Sequence, residues 1–317
     1  MGDTKMENIN LNIYGTRGSV PCGSAEFMEF GGDTSSYALR IGNTLRLLDA
    51  GSGITRASRE LTSDIHRAYL NFSHGHPDHL NPGCAGSMYF NNLEQGIFVT
   101  GNAGAKRSLE KFFDGKDFWP VPLSQLGGLN KTFLELGGGE TIDYPDCEMK
   151  TLANYHPPLG LGGSIAYRFN IPTANGTVSV AYTTDMEFDF MPVNVPNPNA
   201  EELKRKYVNF IMGADVLLAD TQFTKEEYDA ERPIVRGFGH PNLEQVIDLA
   251  NEAGVGLLLG THHSPNHPDA MMRTIEKHGK DYAQGEGFRG DFTFARDGMS
   301  IPLGNTPQNG VEERLAA

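Results

Sequence analysis

A short polar segment carries the densest set of chemically capable side chains in the 317-residue chain, since three of its ten histidines fall within six residues. The segment reads His74-Gly75-His76-Pro77-Asp78-His79 and follows directly after the apolar run 68–73. Imidazole nitrogens and carboxylate oxygens are ligands that suit zinc, manganese or iron. A tight loop can aim two imidazoles to one side and a carboxylate with a third imidazole to the other, which a helix does poorly. The spacing therefore predicts a site for two adjacent metal ions rather than a solvated polar loop.

Two metals need more ligands than this segment supplies, and three further residues stand in matching positions. His156, Asp185 and His262 each come at the end of an apolar, strand-like run. Loops at one edge of a sheet converge, so residues at strand ends can meet in a single site. Each residue taken alone is more typical of a cap or of a satisfied polar group. The repeated placement favours additional metal ligands.

The elements that must position these residues are apolar runs that end in a polar or ionisable residue. Hairpin turns are expected at Gly42-Asn43 and at Asn175-Gly176. The clearest helical pattern, 243–253, has its apolar residues on one face and a glycine after it. Strands that alternate with helices and are interrupted by hairpins predict an α/β or α+β layered domain. The predicted strands cover 9–16, 35–43, 44–51, 68–73, 96–100, 149–155, 164–171, 177–185, 216–223 and 256–263, and the other predicted helices cover 103–113 and 268–279.

These motifs, taken in chain order, resemble those of the metallo-β-lactamase superfamily. The match runs from about residue 10 to about residue 265 and includes Asp49, which follows the run 44–48. The resemblance implies a four-layer αββα sandwich of the α+β class, with a dinuclear metal site at one edge of the two sheets. Asp185 would bridge the two ions, and Asp49 would orient ligands from behind. The remaining assignments are His74, His76 and His156 to the first metal, and Asp78, His79 and His262 to the second.

Further residues narrow the resemblance to one branch. A carboxylate at Asp185, where the β-lactamases carry a cysteine, points to hydrolases of phosphodiesters, thioesters and lactones. The segments 14–21 and 31–39 resemble the N-terminal signature of the phosphodiesterase branch that contains ribonuclease Z and the cyclic-nucleotide phosphodiesterases. Ribonuclease Z-like proteins also carry Glu-Ala-Thr and His-Ser-Thr segments, and similar places here read Ala219-Asp220-Thr221 and Gly239-His240-Pro241-Asn242. The resemblance implies functional roles for Asp220 and His240, although the hydroxyl residues after the histidine are missing.

The charge balance bears on the size of the substrate. The chain has 26 Lys and Arg against 40 Asp and Glu, a formal net charge of −14. Its densest cationic stretch, Lys204-Arg205-Lys206, follows closely after two glutamates. An acidic chain repels phosphate backbones, and no basic Gly/Pro-rich arm of the ribonuclease Z type is visible. A small phosphodiester, such as a cyclic nucleotide, is therefore favoured over a long nucleic acid.

The predicted function is a dinuclear-metal-dependent hydrolase, a phosphodiesterase that uses metal-bound hydroxide. Zinc is the expected metal, with manganese or iron as alternatives. The expected catalytic residues are Asp78, His240 and Asp220, with Asp220 orienting His240 to contact phosphoryl oxygens or to protonate the leaving group. Three alternatives stay open: a lactone or thioester hydrolase on the same ligands, ribonuclease Z-like RNA processing, and an iron-dependent redox protein. A non-catalytic metal sensor would be expected to lack ligands, and here the full set is present.

The rest of the sequence sets broader expectations. Three widely spaced cysteines, no apolar run of about 18 residues and no apolar leader favour a cytoplasmic protein without a membrane span. A single domain over 1–317 is expected, with a loosely ordered tail from about residue 302, and a homodimer is expected by analogy with ribonuclease Z-like proteins. Trp119 could wall the substrate or pack in the core. His263 and His267 are open between function and packing, and a functional His263 would support ligands as Asp49 does.

Overall fold

The computed structural model describes residues 8–81, 88–89, 91–157 and 162–303, and within them strands alternate with helices as the sequence predicts. In chain order the strands are β1 Ile9–Gly15, β2 Ser36–Ile41, β3 Thr44–Leu48, β4 Arg67–Asn71, β5 Ile97–Gly101, β6 Leu129–Glu135, β7 Thr141–Asp143, β8 Glu148–Asn154, β9 Ser164–Thr173, β10 Gly176–Thr183, β11 Phe190–Met191, β12 Val195–Pro196, β13 Val216–Asp220, β14 Leu257–Thr261, β15 Asp291–Phe294 and β16 Ser300–Leu303. The helices are α1 Ile54–Ala57, α2 Ala103–Phe112, α3 Ala200–Ile211, α4 Lys225–Asp229, α5 Leu243–Glu252 and α6 Asp269–Gly285.

Two seven-stranded sheets pack face to face. Sheet one has the order β16-β1-β2-β3-β4-β5-β6, and sheet two has the order β15-β14-β13-β10-β9-β8-β7. The inner core joins Leu11 and Tyr37 of sheet one to Tyr167 and Leu218 of sheet two. Helices α1 and α2 cover the outer face of sheet one, whereas α3, α5 and α6 cover the outer face of sheet two. This order of layers confirms the predicted α+β sandwich with four layers, αββα.

The burial of individual strands follows from this layering. In β1, Ile9, Leu11 and Ile13 are buried and alternate with half-buried residues, as expected for a strand with one face on the core. Strands β13 and β14 are buried along their whole length because they run parallel and are covered on both faces. Their continuous apolar runs are the reason that the sequence pattern finds them.

Parallel pairing brings the ends of several strands to one edge. Strand β3 pairs parallel with β4, and β13 pairs parallel with both β10 and β14. The carboxyl ends of parallel neighbours lie at the same side of a sheet. The segments that follow these strands begin at Asp49, Phe72, Thr184, Thr221 and His262. Candidate ligands that are far apart in the chain therefore meet at this edge.

The structure departs from the predicted elements in several places. The turn at Gly42-Asn43 is present, but the second hairpin turns at 174–175, one residue earlier than predicted. Helix α6 continues six residues beyond the predicted end at 279. Strands β6 and β7 were not predicted because most of their side chains are exposed and polar. Residues 302 and 303 lie in β16 beside β1, so any loose tail begins later than predicted, and 304–317 lie outside the described residues.

One ion pair is buried inside the sandwich. Arg46 of β3 and Asp146, which precedes β8, are 0% and 2% exposed. Their bond is bidentate, with Nε donating to Oδ2 and Nη2 to Oδ1, both at 2.8 Å. The guanidinium carbon lies 4.2 Å from the ring centre of Tyr69 and 4.4 Å from that of Tyr144. A charge pair enclosed by aromatic rings thus joins the two sheets away from the candidate site.

Candidate metal centre

The first group of candidate ligands collects four side chains from three loops. One donor atom from each lies within 4.8 Å of the others, and the residues are His74, His76, His156 and Asp185. The ring centres of His74 and His76 are 4.4 Å apart, and His156 lies 4.7 Å from the former and 4.9 Å from the latter. All but His76 are buried. The loop 74–79 folds tightly, as the sequence predicts.

The second group shares an edge with the first. Asp78, His79 and His262 also place donor atoms within 4.8 Å of one another. Asp185 faces both groups through different oxygens. Its Oδ1 lies 3.2 Å from His79 Nε2 and 3.3 Å from His262 Nε2. Its Oδ2 lies 3.4 Å from His156 Nε2 and 3.7 Å from His74 Nε2, so one carboxylate spans the two groups.

The outer nitrogens of four imidazoles are held by protein acceptors. These contacts are His74 Nδ1 to Ser73 Oγ at 3.0 Å, His79 Nδ1 to Asp49 Oδ2 at 2.7 Å, His156 Nδ1 to the Gly239 carbonyl at 3.1 Å and His262 Nδ1 to Gln222 Oε1 at 3.0 Å. Such contacts fix the ring orientation and leave Nε2 for a metal. The buried Nε2 of His74 has no hydrogen-bond partner, which is costly unless an ion or other group completes it. The donor set and this orphaned atom fit divalent-metal binding.

Asp49 lies behind the ligands, as the resemblance implies. Besides His79, its carboxylate accepts hydrogen bonds from the backbone N–H and hydroxyl of Ser73, at 2.6 and 2.7 Å, and from the Tyr182 hydroxyl at 2.6 Å. It is fully buried. Asp49, Asp185 and His262 also share a left-handed backbone, with φ between 51° and 59°. Residues other than glycine rarely adopt this conformation, and such strain concentrates at functional sites.

The electrostatics of the cluster suit bound cations. Burial, with the neighbouring imidazoles, lowers the pKa of His74 well below its ordinary value and lowers the pKa of His156 to about 3. Both rings are therefore neutral near pH 7 and have lone pairs to donate. Burial alone would raise the pKa of Asp185, but the charges of His262 and His79 hold it well below its usual range. An ionised carboxylate beside the neutral imidazoles of His74 and His156 favours a metal ion between them.

His240 and Asp220 form a pair that adjoins the cluster, since one donor atom from each also lies within 4.8 Å of donor atoms of Asp185 and His262. His240 Nδ1 donates to Asp220 Oδ2 at 2.7 Å, and the ring stacks on His262 with centres 5.0 Å apart. Burial disfavours the charged imidazole, but the Asp220 carboxylate outweighs this effect and raises the pKa of His240 to about 9. The same Asp220 oxygen accepts the backbone N–H of Asp185 at 3.2 Å. Asp220 therefore links the imidazole of His240 to the backbone of Asp185, whose carboxylate spans the two groups.

His263, which the sequence leaves open between function and packing, packs away from the candidate ligands and does not support them as Asp49 does. Its ring lies between Phe30 and Phe294, and its Nε2 donates to the Ala295 carbonyl at 2.9 Å. Neighbouring residues at a strand end point to opposite sides, so the side chain beside His262 faces the helical layer. The His263 backbone instead bonds with Thr16 and Gly18.

The other two open residues have packing roles. His267 Nε2 donates to Glu227 Oε1 at 2.6 Å, and its carbonyl accepts from Arg17. Trp119 packs on Phe112 and Phe113, with ring centres 5.7 Å away in each case. Phe112 ends α2, whereas the opposite end of this helix approaches the ligand loop at Gly75. Trp119 therefore packs at the end of α2 that lies away from the ligand loop.

Several supporting residues were missed by the sequence analysis. Ser73 and Gln222 each bind the outer nitrogen of a ligand, and Ser19 donates its backbone N–H to Asp78 Oδ2 at 2.7 Å. Ser73 precedes the ligand loop directly, and Gln222 comes two residues after Asp220. Position next to a motif is the one signal that could have found these two. Ser19 acts through its backbone, which side-chain type does not reveal.

Comparison with known proteins identifies the architecture. No family model matches the chain. Its sequence is 26% identical over 294 residues to ribonuclease Z of Thermoplasma acidophilum, a match that covers 84% of this chain and 89% of that protein. The metallo-beta-lactamase fold protein YhfI of Bacillus subtilis superposes with a TM-score of 0.64 at 17% identity, over 94% of this chain and 100% of that one. The chain has the metallo-β-lactamase fold.

A second solved structure with this fold, unliganded yeast PDE1, gives a TM-score of 0.67 at 14% identity and covers 94% of this chain and 100% of that one. Together with the ribonuclease Z relative, these likenesses confirm the predicted resemblance to the phosphodiesterase and ribonuclease Z-like branch. They also confirm the prediction of an enzyme of the metal-dependent hydrolase class. Within the described parts of the metallo-β-lactamase fold, no helix is both long and apolar enough to cross a membrane.

Proposed function

We propose that the chain is a dinuclear-metal phosphodiesterase that acts on a small phosphodiester. The observation that carries this proposal is the His240–Asp220 pair, 2.7 Å long, set directly beside the candidate ligands. A pKa of about 9 keeps His240 cationic near neutral pH, and its contact with Asp220 leaves Nε2–H as the donor for a substrate. A buried cationic donor next to two cations suits an anionic phosphoryl group better than a neutral lactone or thioester.

The candidate ligands would divide between two ions. Asp185 would bridge them through its two oxygens, which face different groups. Imidazole-rich donors favour zinc, with manganese or iron as alternatives. Two bound divalent cations would supply a lowered pKa for water and stabilisation of charge on phosphoryl oxygens. The remaining ligands would be His74, His76 and His156 on one ion, and Asp78, His79 and His262 on the other.

The chain's own residues then orient the substrate and move a proton. Asp220 holds the ring of His240 by Nδ1, so Nε2–H can donate to a non-bridging oxygen or to the leaving alkoxide. The stacked contact between His240 and His262 keeps this donor next to the second group of ligands. Ser19 N–H holds one oxygen of Asp78, which limits the rotation of that carboxylate. Each of these groups is fixed before substrate binds, which lowers the cost of reorganisation.

The surface charge supports a small substrate. Two of the three cations in the stretch of α3 are paired locally, since Lys204 pairs with Asp189 at 2.7 Å and with Glu201 at 3.1 Å, and Lys206 pairs with Glu202 at 2.7 Å. A protein that tracks a long phosphate backbone needs unpaired cations along its path. The net charge of −14 acts in the same direction.

Ribonuclease Z-like RNA processing is the second candidate. Its support is the 26% identity to a ribonuclease Z, which extends over 89% of that protein. The two candidates share the same ligands and the same His240–Asp220 pair. Turnover of cyclic nucleotides against turnover of a precursor transfer RNA, measured on one preparation, distinguishes them.

The first experiment measures hydrolysis of bis(p-nitrophenyl) phosphate and counts bound metal in the same sample. We expect about two zinc, manganese or iron ions per chain and turnover that His76→Ala abolishes. His240→Ala should retain its metal and lose about 100-fold or more in kcat, as expected for a lost hydrogen bond to a non-bridging phosphoryl oxygen, since p-nitrophenolate leaves without a proton. His66→Ala is the matched control, because His66 is exposed and lies before β4. Unchanged phosphodiesterase activity in His240→Ala, or metal without turnover on any phosphodiester, would contradict the proposal.

A further inference from the structure

Glu187 is a buried carboxylate that the proposed chemistry does not use. It follows Asp185 by two residues and is 1% exposed. Its oxygens accept the backbone N–H of Gly237 at 2.8 and 3.0 Å, the backbone N–H of Gly239 at 2.8 Å and the hydroxyl of Tyr228 at 2.7 Å. All of these donors are neutral. Burying an anion with neutral donors alone is expensive, so a carboxylate at this position indicates a specific task.

The loop that Glu187 holds carries two contacts to the site. The Gly239 carbonyl accepts from His156 Nδ1 at 3.1 Å, and the next residue is His240. Gly239 has a φ of +98°, and a methyl group there would overlap His156 Nδ1. The backbone must therefore approach the imidazole closely and in a conformation that only glycine adopts readily. Any shift of this loop moves the acceptor that fixes the His156 ring.

Glu187 also touches the segment before His156. Its backbone N–H donates to the carbonyl of Tyr155 at 3.1 Å. The residue is thus connected at once to the segments that carry Asp185, His156 and His240. These three segments follow β10, β8 and α4, so Glu187 connects parts of the chain that come from three different elements. The position of Glu187 makes it the junction between the candidate ligands and the candidate acid.

We infer that Glu187 is a positioning residue, which holds the 237–240 loop so that Gly239 fixes the ring of His156 and His240 faces the substrate. This inference rests on the proposed function for the role of His240. The role in orienting His156 concerns metal binding and can be tested without any substrate.

The test compares Glu187→Gln with Glu244→Gln. The amide keeps the size of the side chain, but its NH2 group faces donors and cannot accept from them. Glu244 is a matched control, because it is also a buried glutamate that accepts a backbone N–H, that of Lys225, and it lies on α5 away from the ligands. For Glu187→Gln we expect zinc retention against a chelator to fall about 10- to 100-fold and kcat on bis(p-nitrophenyl) phosphate to fall by a similar factor. Glu244→Gln should lower only Tm.

A second readout separates positioning from general stability. The ring N–H signal of His156 in the ¹⁵N-labelled, metal-free protein should be shifted or broadened in Glu187→Gln and unchanged in Glu244→Gln. Equal losses of zinc retention in the two variants, or an unperturbed His156 signal, would overturn the inference. If Glu187→Gln does not fold, Tyr228→Phe removes one contact to the same carboxylate, and unchanged zinc retention there would also overturn it. Failure of the proposed function would appear separately, as wild-type protein that binds zinc but hydrolyses no phosphodiester.

Discussion

The buried ion pair between the sheets gives the sharpest stability prediction, and the perturbation is Asp146→Ala. The substitution removes the bidentate acceptor of Arg46 and leaves the guanidinium between the rings of Tyr69 and Tyr144, where it is 0% exposed. Its Nη1 already has no hydrogen-bond partner, so no spare acceptor is at hand among the described residues. Two charge-assisted bonds of 2.8 Å are lost, each contributing about 1.5–3 kcal/mol. Breaking a buried pair from one side costs about 3–5 kcal/mol overall.

We therefore expect Asp146→Ala to lower the free energy of unfolding by about 4 kcal/mol. The assay is urea denaturation of the metal-loaded protein, with the midpoint and the slope fitted separately. A change in midpoint at constant slope would show a loss of stability rather than a change in the denatured state. Asp64→Ala is the control, because Asp64 pairs with Arg40 on the surface, and no shift in midpoint is expected there.

The double variant Arg46→Met with Asp146→Ala tests the cause. Removing the charge as well as its partner should recover much of the loss, because most of the cost is the uncompensated guanidinium. A single-variant loss below about 1 kcal/mol, or a double variant less stable than Asp146→Ala, would refute the reasoning. Either result would mean that the guanidinium finds water or another acceptor when Asp146 is absent.

Three further predictions concern the site. Removing metal with a chelator should lower Tm, and zinc added back at about 100 times its Kd should restore about 2.7 kcal/mol for each ion bound, measured by calorimetry. The His240 ion pair should stabilise the protein fully below its ordinary pKa of 6.5, and this contribution should vanish as pH rises through about 9, checked by denaturing wild type and His240→Gln between pH 6 and 10. A stability difference that does not shrink over this range would contradict it. Gly239→Ala should lose bound zinc while Gly285→Ala, in open space on α6, keeps it, which metal counting decides.

The sequence predicted the candidate ligands better than it predicted the residues that hydrogen-bond to them. The loop 74–79 is visible because its residue types are dense, and His156, Asp185 and His262 are visible because each ends a continuous apolar run. The strands before Asp185 and His262, β10 and β14, are brought together by parallel pairing with β13, so there a local pattern carried long-range information. Strand β8 before His156 is antiparallel to its neighbours and only partly buried. The amphipathic helix α3 escaped because its buried stripe consists of few residues among many charges. The ligand roles themselves stay predictions.

The residues that hold the candidate ligands in place could not be predicted from residue type or from position after an apolar run. Gln222 and Glu187 are ordinary polar residues, and only the folded chain brings the first to His262 and the second to the loop at Gly239. His263 was misleading for the opposite reason, since it stands next to a candidate ligand but faces the other way. Sequence spacing predicts which face of a strand a side chain occupies only if the last residue of that strand is known, and strand ends are uncertain by one or two residues.

Each of the two groups of candidate ligands combines residues that follow strands of both sheets. The loop 74–79 and Asp49 follow strands of sheet one, whereas His156, Asp185 and His262 follow strands of sheet two. Ions bound by ligands from both sheets would cross-link the two sheets at this edge, whereas the Arg46–Asp146 pair already joins them elsewhere. Loss of metal would then open the sandwich from one side only. The edge with the candidate ligands would then separate first, while the aromatic-lined interior stayed closed. The residues proposed to bind metal would thus also determine the order in which the two sheets separate on unfolding.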